Sequence, residues 1–129
     1  MKIKRYLGID WGEKRIGLAL GDSENKLATP FKVAENISDL VKIIKEEKVD
    51  ALVIGLPKKM SGDKTINPKF TNFLKILKEK IEIEIFLIDE RLSSVQADTL
   101  KNKKIGQQRD SVSAMIILQN YFDHEKNNK

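Results

Sequence analysis

The stretch YLGIDWGEKRIGLALGD, from Tyr6 to Asp22, decides the fold. It contains two apolar runs of strand-like composition, separated by the short polar turn WGEK. Two such runs joined by so short a turn predict a β-hairpin. The first run ends on a carboxylate, Asp10, and an acidic side chain at the end of a buried strand needs a partner or a function.

Composition limits the classes of protein to which the chain can belong. With 129 residues, 40% hydrophobic and 33% charged, residues 1–129 are expected to form a single globular domain. The chain has no cysteine, which excludes disulfides, thiolate nucleophiles and zinc–thiolate sites. The apolar runs fall short of the roughly 18 residues that span a membrane, and the N-terminus lacks a signal peptide's apolar region. We therefore expect a cytoplasmic protein, and its net charge of +5 is compatible with a nucleic-acid partner.

The rest of the chain alternates between strand and helix patterns. A third strand is predicted around FKVAE, and a helix over 37–44 follows it, capped by Asn36 or Ser38. The run DALVIGLP predicts a buried strand, apolar spacing predicts a helix over 70–81, and IEIFLIDE predicts another strand. A capping box at Ser93 and Gln96 predicts a further helix. A basic loop over 101–109 then leads to a last helix over 110–122 and a polar tail that is expected to fray. This order predicts an α/β domain with a mixed sheet.

Acidic residues mark the ends of several predicted elements. Asp10 ends the first strand, Asp89 and Glu90 end the last strand, and Asp110 begins the final helix. If the first and last strands lie side by side, these carboxylates converge at the carboxyl edge of the sheet. Converging carboxylates repel one another unless a cation is present, and their oxygens suit Mg²⁺ or Mn²⁺. Alternatively, Asp10 serves only its turn, Asp110 is a helix N-cap, and the acids at 89 and 90 form surface ion pairs.

Four blocks of sequence together resemble the YqgF family of pre-16S rRNA nucleases, also described as Holliday-junction-resolvase-like proteins. The blocks are LGIDWGEKRIGLALGD, VIGLPKKMSGD, IDERLSSVQAD and RDSVSAMIILQNYF. The resemblance implies a ribonuclease H-like fold, with a mixed five-stranded sheet and helices on both faces. It also implies that Asp10, Glu90 and Asp110 are catalytic residues that bind Mg²⁺ or Mn²⁺, with Asp89 as the rival of Glu90.

The activity implied by the resemblance is hydrolysis of phosphodiester bonds, leaving a 5′-phosphate and a 3′-hydroxyl. The implied role is maturation of the 5′ end of precursor 16S rRNA during ribosome biogenesis, with precursor rRNA and ribosomal particles as partners. A metal-free mechanism with two imidazoles is excluded because His124 is the only histidine.

Basic residues near the predicted site are candidates for phosphate contacts. They are Lys14, Arg15, Lys58 and Arg91. The lysines are equally compatible with a simple solvated surface. Trp11 could stack on a base, although packing is the commoner role of an aromatic residue beside a turn. Gly8 and Gly21 are expected to serve turns.

Three other functions stay open at this point. Asp10, Gly12 and Gly17 form a D-x-G-x-x-x-x-G pattern that also resembles the first phosphate loop of the actin and sugar kinase superfamily. Such ATPases enclose ATP between two domains, and tight ATP binding would favour that function. A noncatalytic RNA-binding assembly factor would bind precursor rRNA without metal-dependent cleavage. A Holliday junction resolvase would cut four-way DNA junctions.

Overall fold

The structure, a computed structural model, describes residues 2–57, 67–89 and 107–127. Its elements in chain order are β1 (Arg5–Trp11), β2 (Ile16–Asp22), β3 (Thr29–Ala34), α1 (Ile37–Glu46), β4 (Ala51–Leu56), α2 (Pro68–Lys80), β5 (Glu84–Asp89) and α3 (Gln107–Asn127). The sheet has the order β3-β2-β1-β4-β5. Strands β1, β4 and β5 pair in parallel, β2 is antiparallel to β1, and β3 is antiparallel to β2. The predicted hairpin and mixed five-stranded sheet are confirmed.

Successive side chains of β1 point to opposite faces of the sheet, and a hydrophobic core lies on each face. Leu7 and Ile9 lie in the larger core, beneath α1 and α2. Tyr6 lies in the smaller core, where it packs with residues of α3 such as Leu118 and Phe122. Helices therefore cover both faces, as predicted. None of the helices in the three described ranges is long and apolar enough to cross a membrane.

Glycines on one face of the sheet let α3 approach the backbone of the strands. A Cβ atom on Gly8 would lie 2.7 Å from the carbonyl oxygen of Ala114, and one on Gly21 would lie 2.7 Å from the ring of Phe122. Such distances are shorter than any normal contact, so a larger residue would push the helix away. The prediction that Gly8 and Gly21 serve turns is wrong, because both lie within strands beneath α3.

Helix α3 is longer at both ends than the sequence pattern predicted. It begins at Gln107, within the predicted basic loop, and it continues through the predicted fraying tail to Asn127. At the N-terminal end, Gln107, Gln108 and Arg109 have good helix propensity, which explains the earlier start. Gln119 also donates a hydrogen bond to Asp123 one turn later, at 3.2 Å. The helix predicted from Ser93 lies outside the described residues.

Asn36 caps α1 and decides between the two predicted capping residues. Its side-chain oxygen accepts a hydrogen bond from the backbone N–H of Asp39 at 2.8 Å. Asn36→Ala is expected to lower the free energy of unfolding by about 1 kcal/mol, because that N–H loses its partner. Urea denaturation measures the change. Ser38→Ala is the control, and an equal loss in both variants would contradict the assignment of the cap.

Asp50 ties the start of β4 to the start of β1 and should make stability depend on acid pH. The backbone N–H of Arg5 donates to Asp50 Oδ2 at 2.9 Å, and this bond lowers the pKa of the Asp50 carboxyl below its ordinary value. The ionised form is therefore favoured by folding, and its stabilisation is present at neutral pH and lost as the pH falls below about 4. Asp50→Asn should lower Tm at pH 7 by more than it does at pH 3. A difference in Tm that is the same at both pH values would contradict this.

Candidate metal centre and nucleic-acid interface

Asp10 lies at the carboxyl end of β1, on the face covered by α3. Side chains two residues apart on a strand point to the same face, and Gly8 contacts α3 directly. Asp10 is half-buried there. The local sequence explains this position, because β1 is apolar as far as Ile9 and the hairpin turn follows Trp11.

The absence of a side chain at Gly17 lets the first turn of α3 pack against β2 next to Asp10. Gly17 is the register partner of Asp10 across the hairpin. A Cβ atom on Gly17 would lie 2.1 Å from the carbonyl oxygen of Asp110 and 3.0 Å from its Cβ. Cross-strand partners have Cβ atoms about 5 Å apart, so the Cβ atoms of Asp10 and Asp110 lie within about 8 Å of each other. The two carboxylates predicted to share a site are therefore brought together.

One oxygen of the Asp110 carboxylate lacks a hydrogen-bond donor among the described residues. Its Oδ2 atom is buried and accepts no hydrogen bond from residues 2–57, 67–89 or 107–127. It lies 3.5 Å from the Nε atom of Arg15, within ion-pair distance. Buried carboxylate oxygens normally have hydrogen-bond partners, so this atom is suited to a cation. The alternative that Asp110 is an N-cap is wrong, because α3 begins three residues earlier, at Gln107.

The last strand does not lie beside the first one. Strand β4 separates β1 from β5, so the side-by-side arrangement that was the condition for convergence is not found. The sheet registers place Ile9, Ile54 and Leu87 in one row, with Asp10 one residue beyond it and Asp89 two residues beyond it. Two strand spacings, about 9.5 Å, separate β1 from β5. Glu90, the other candidate for the middle acid, lies outside the described residues.

The donors at this edge fit a small hard cation. Carboxylate oxygens are the ligands that Mg²⁺ and Mn²⁺ prefer, and Mg²⁺ commonly binds through one or two carboxylates while keeping several waters. Asp10 and Asp110 supply two carboxylates, one from a rigid strand and one from a helix. Over residues 2–57, 67–89 and 107–127, the structure shows no cluster of three potential ligands. The predicted third ligand, Glu90, lies outside those ranges.

Of the predicted phosphate contacts, the structure describes Lys14 and Arg15. Both are exposed in the hairpin turn, and Arg15 also contacts Asp110. Lys58 and Arg91 lie outside the described residues. Trp11 packs against Phe70, with ring centroids 5.4 Å apart, so its main role in the fold is packing.

For Gly17, the sequence indicated a place in a possible phosphate loop but not a contact with Asp110. The available signal is a run of small residues, Gly17, Ala19 and Gly21, at alternate positions of β2. Small residues on one face of a strand indicate a closely packed neighbour, but the pattern does not say which element that neighbour is.

Comparisons with known proteins give matches over nearly the whole chain. The family model described as RuvX, Holliday junction resolvase, matches residues 4–124. A relative from Maridesulfovibrio salexigens named "Putative pre-16S rRNA nuclease" is 39% identical over 92% of this chain and 97% of its own length. A relative of the same name from Mycoplasma mobile is 40% identical over 95% of this chain and 96% of its own length.

Among solved structures, the chain is similar to Thermus thermophilus RuvC, determined in complex with a Holliday junction substrate. The TM-score is 0.58 at 10% sequence identity, over 95% of this chain and 96% of that one. At this identity the similarity concerns the fold, and it confirms the prediction of a ribonuclease H-like fold. Because the family model and the two relatives cover nearly all of its residues, the chain belongs to the RuvX family, described as Holliday junction resolvase.

Proposed function

We propose that this member of the RuvX family is a Mg²⁺- or Mn²⁺-dependent nuclease that processes the 5′ end of precursor 16S rRNA. Membership of the family makes the chain a nuclease, an enzyme that hydrolyses phosphodiester bonds. The observation that carries the metal dependence is the buried Asp110 Oδ2 atom, which accepts no hydrogen bond from the residues that the structure describes. Asp110 packs on Gly17, the cross-strand partner of Asp10.

Three acids are proposed to hold the metal: Asp10, Asp110 and Glu90. For the third position, Glu90 is proposed on the family resemblance, and Asp89, the last residue of β5, stays its rival.

The chemistry is an in-line hydrolysis of one P–O bond. A bound metal would lower the pKa of a coordinated water and offset the negative charge that develops on the phosphate. The oxygen of the water forms the new bond to phosphorus, and the bond from phosphorus to the 3′-oxygen breaks. That oxygen takes up a proton, so the products are a 5′-phosphate and a 3′-hydroxyl. The carboxylates of Asp10 and Asp110 orient the reacting groups through their fixed places on β1 and α3.

Arg15 is proposed to contact the phosphate next to the bond that is cut. Its Nε atom is 3.5 Å from the Asp110 carboxylate, and almost half of its side chain is exposed. A cation bound to Asp110 would neutralise its carboxylate in place of Arg15. The Arg15 guanidinium could then bind a phosphate. Guanidinium groups bind phosphate oxygens with two parallel hydrogen bonds, which a lysine cannot do.

The substrate is inferred from the relatives and from charge. The two curated relatives carry a name that specifies pre-16S rRNA, and the chain has a net charge of +5 that favours polyanions. The description of the family model favours a second candidate, cleavage of four-way DNA junctions.

Parallel cleavage assays separate these two candidates. A precursor 16S rRNA fragment and a four-way DNA junction, at equal concentration, are incubated with the protein and Mg²⁺ or Mn²⁺, and with EDTA as the metal-free control. We expect cuts in the RNA near the mature 5′ end, only when metal is present. Cleavage of the junction alone would replace the rRNA function with resolution. Binding of the RNA without cleavage under either metal would favour the noncatalytic assembly factor.

A further inference from the structure

A groove of about 480 Å³ opens on the opposite face of the sheet from Asp10 and Asp110. It lies between the β1–β2 turn, the start of α1 and one side of α2. Trp11 and Phe73 form apolar walls, and Ser38 and Asn72 add polar groups. The volume falls in the range of sites that bind small organic groups.

The indole of Trp11 is held in a fixed orientation at this groove. Its ring centroid is 5.4 Å from that of Phe70, nearly edge-on, and 6.1 Å from that of Phe73. The side chain is half-buried rather than enclosed, so part of it faces the groove. A fixed, partly exposed aromatic side chain is a surface on which a nucleobase can stack at small entropic cost.

Among the described residues that line the groove, the charges balance and therefore do not favour phosphate. Its lining contains two acids and two lysines: Glu13, Glu35, Lys69 and Lys80. Lys69 Nζ and Glu13 Oε2 pair at 3.3 Å, and this ion pair joins α2 to the hairpin turn. A neutral site with an aromatic wall, a hydroxyl and an amide matches an uncharged, flat, hydrogen-bonding group such as a nucleobase.

The groove lies at the same end of β1 as Asp10, on the other face of the sheet. Trp11 follows Asp10 directly in β1, and alternation places the two residues on opposite faces at the same end of the sheet. The exposed turn residues Lys14 and Arg15 lie between the two faces. A single strand that crosses this turn would present a phosphate to Asp10 and Asp110 and a nearby base to Trp11.

We propose that this groove, here called the Trp11 groove, binds an unpaired nucleobase of the RNA strand that is being cut. The inference rests on the proposed nuclease function and adds a preference to it: the RNA next to the cut must be single-stranded. An unpaired base can leave the strand and stack on an indole, whereas a base within a duplex cannot do so without unpairing.

The test measures RNA binding without cleavage, in EDTA. The probe is a fluorescein-labelled single-stranded RNA of about 12 nucleotides, close to the length that a single-strand-binding domain covers. Anisotropy gives the affinity. The emission of Trp11, the only tryptophan in the chain, reports whether RNA reaches the groove. Asn72→Phe fills the groove from the exposed surface of α2, and Thr71→Phe places the same ring on the neighbouring exposed residue, which does not line it.

We expect RNA to quench Trp11 emission, and Asn72→Phe to weaken binding about tenfold while Thr71→Phe leaves it unchanged. Equal affinity of wild type and Asn72→Phe would overturn the groove as a base site, and so would Trp11 emission that RNA does not alter. If metal-dependent cleavage of precursor rRNA persists in that case, the proposed nuclease function stands and only the groove is rejected. If the protein neither binds nor cleaves RNA, both proposals are rejected.

Discussion

Asp10→Asn is expected to lower the rate of metal-dependent cleavage by a factor on the order of 10³, because it removes a charged ligand while keeping the shape of the side chain. The fold should be unaffected. Asp10 and Asp110 approach each other through Gly17, so removing one negative charge lowers the repulsion between them in the metal-free protein. The Tm in EDTA shows whether the variant is folded. Cleavage rates and thermal unfolding measure the two effects.

Asp22→Asn is the matched control for this variant. Asp22 is the last residue of β2, at the opposite end of the β1–β2 pair from Asp10. Its Oδ1 atom accepts hydrogen bonds from the backbone N–H groups of Glu24 and Asn25. Asp22→Asn should lower stability and leave the cleavage rate of the folded protein unchanged. An Asp10→Asn protein that is folded and cleaves at the wild-type rate would contradict the assignment of Asp10.

Gly17→Ala is expected to damage both the fold and the site. The added Cβ would lie 2.1 Å from a backbone carbonyl oxygen, which cannot turn aside as a side chain can, so the first turn of α3 must move. Overpacking of this kind costs about 3 kcal/mol, which corresponds to a fall in Tm of about 10 °C. Because Asp110 moves with the helix, the metal concentration for half-maximal cleavage should rise at least about tenfold.

Gly21→Ala separates the effect on the metal site from the effect on stability. Gly21 lies on the same strand and beneath the same helix, but its added Cβ would meet the ring of Phe122 at 2.7 Å, four residues from Gly17. This variant should lose stability without a change in its metal requirement. If the two variants shift the metal requirement equally, Gly17 has no specific part in positioning Asp110.

Local features were predictable from sequence because they depend on neighbours in the chain. The hairpin follows from two apolar runs around one short turn, and the cap of α1 follows from a polar residue before an apolar periodic segment. The sequence also predicted that the last helix would bring Asp110 toward Asp10, and both residues lie beside Gly17; their role as metal ligands stays a prediction.

Long-range features were not predictable in the same way. The position of β4 between β1 and β5 depends on how the connecting segments cross the sheet, and no residue in β1 or β5 specifies its neighbour. The start of α3 was misplaced because Gln107 and Gln108 suit a helix but show no apolar periodicity. The role of Gly17 became visible only when the structure showed which helix covers that face of β2.

The most direct test of the metal site is a titration of the protein with Mn²⁺, in which electron paramagnetic resonance measures the free ion. Wild type, Asp10→Asn, Asp110→Asn and Asp123→Asn are compared, the last as a control at an exposed acid on the same helix as Asp110. We predict that Asp10→Asn and Asp110→Asn each weaken Mn²⁺ binding at least about tenfold, while Asp123→Asn binds as wild type does. Equal Mn²⁺ affinity in all four proteins would contradict the assignment of Asp10 and Asp110 as metal ligands.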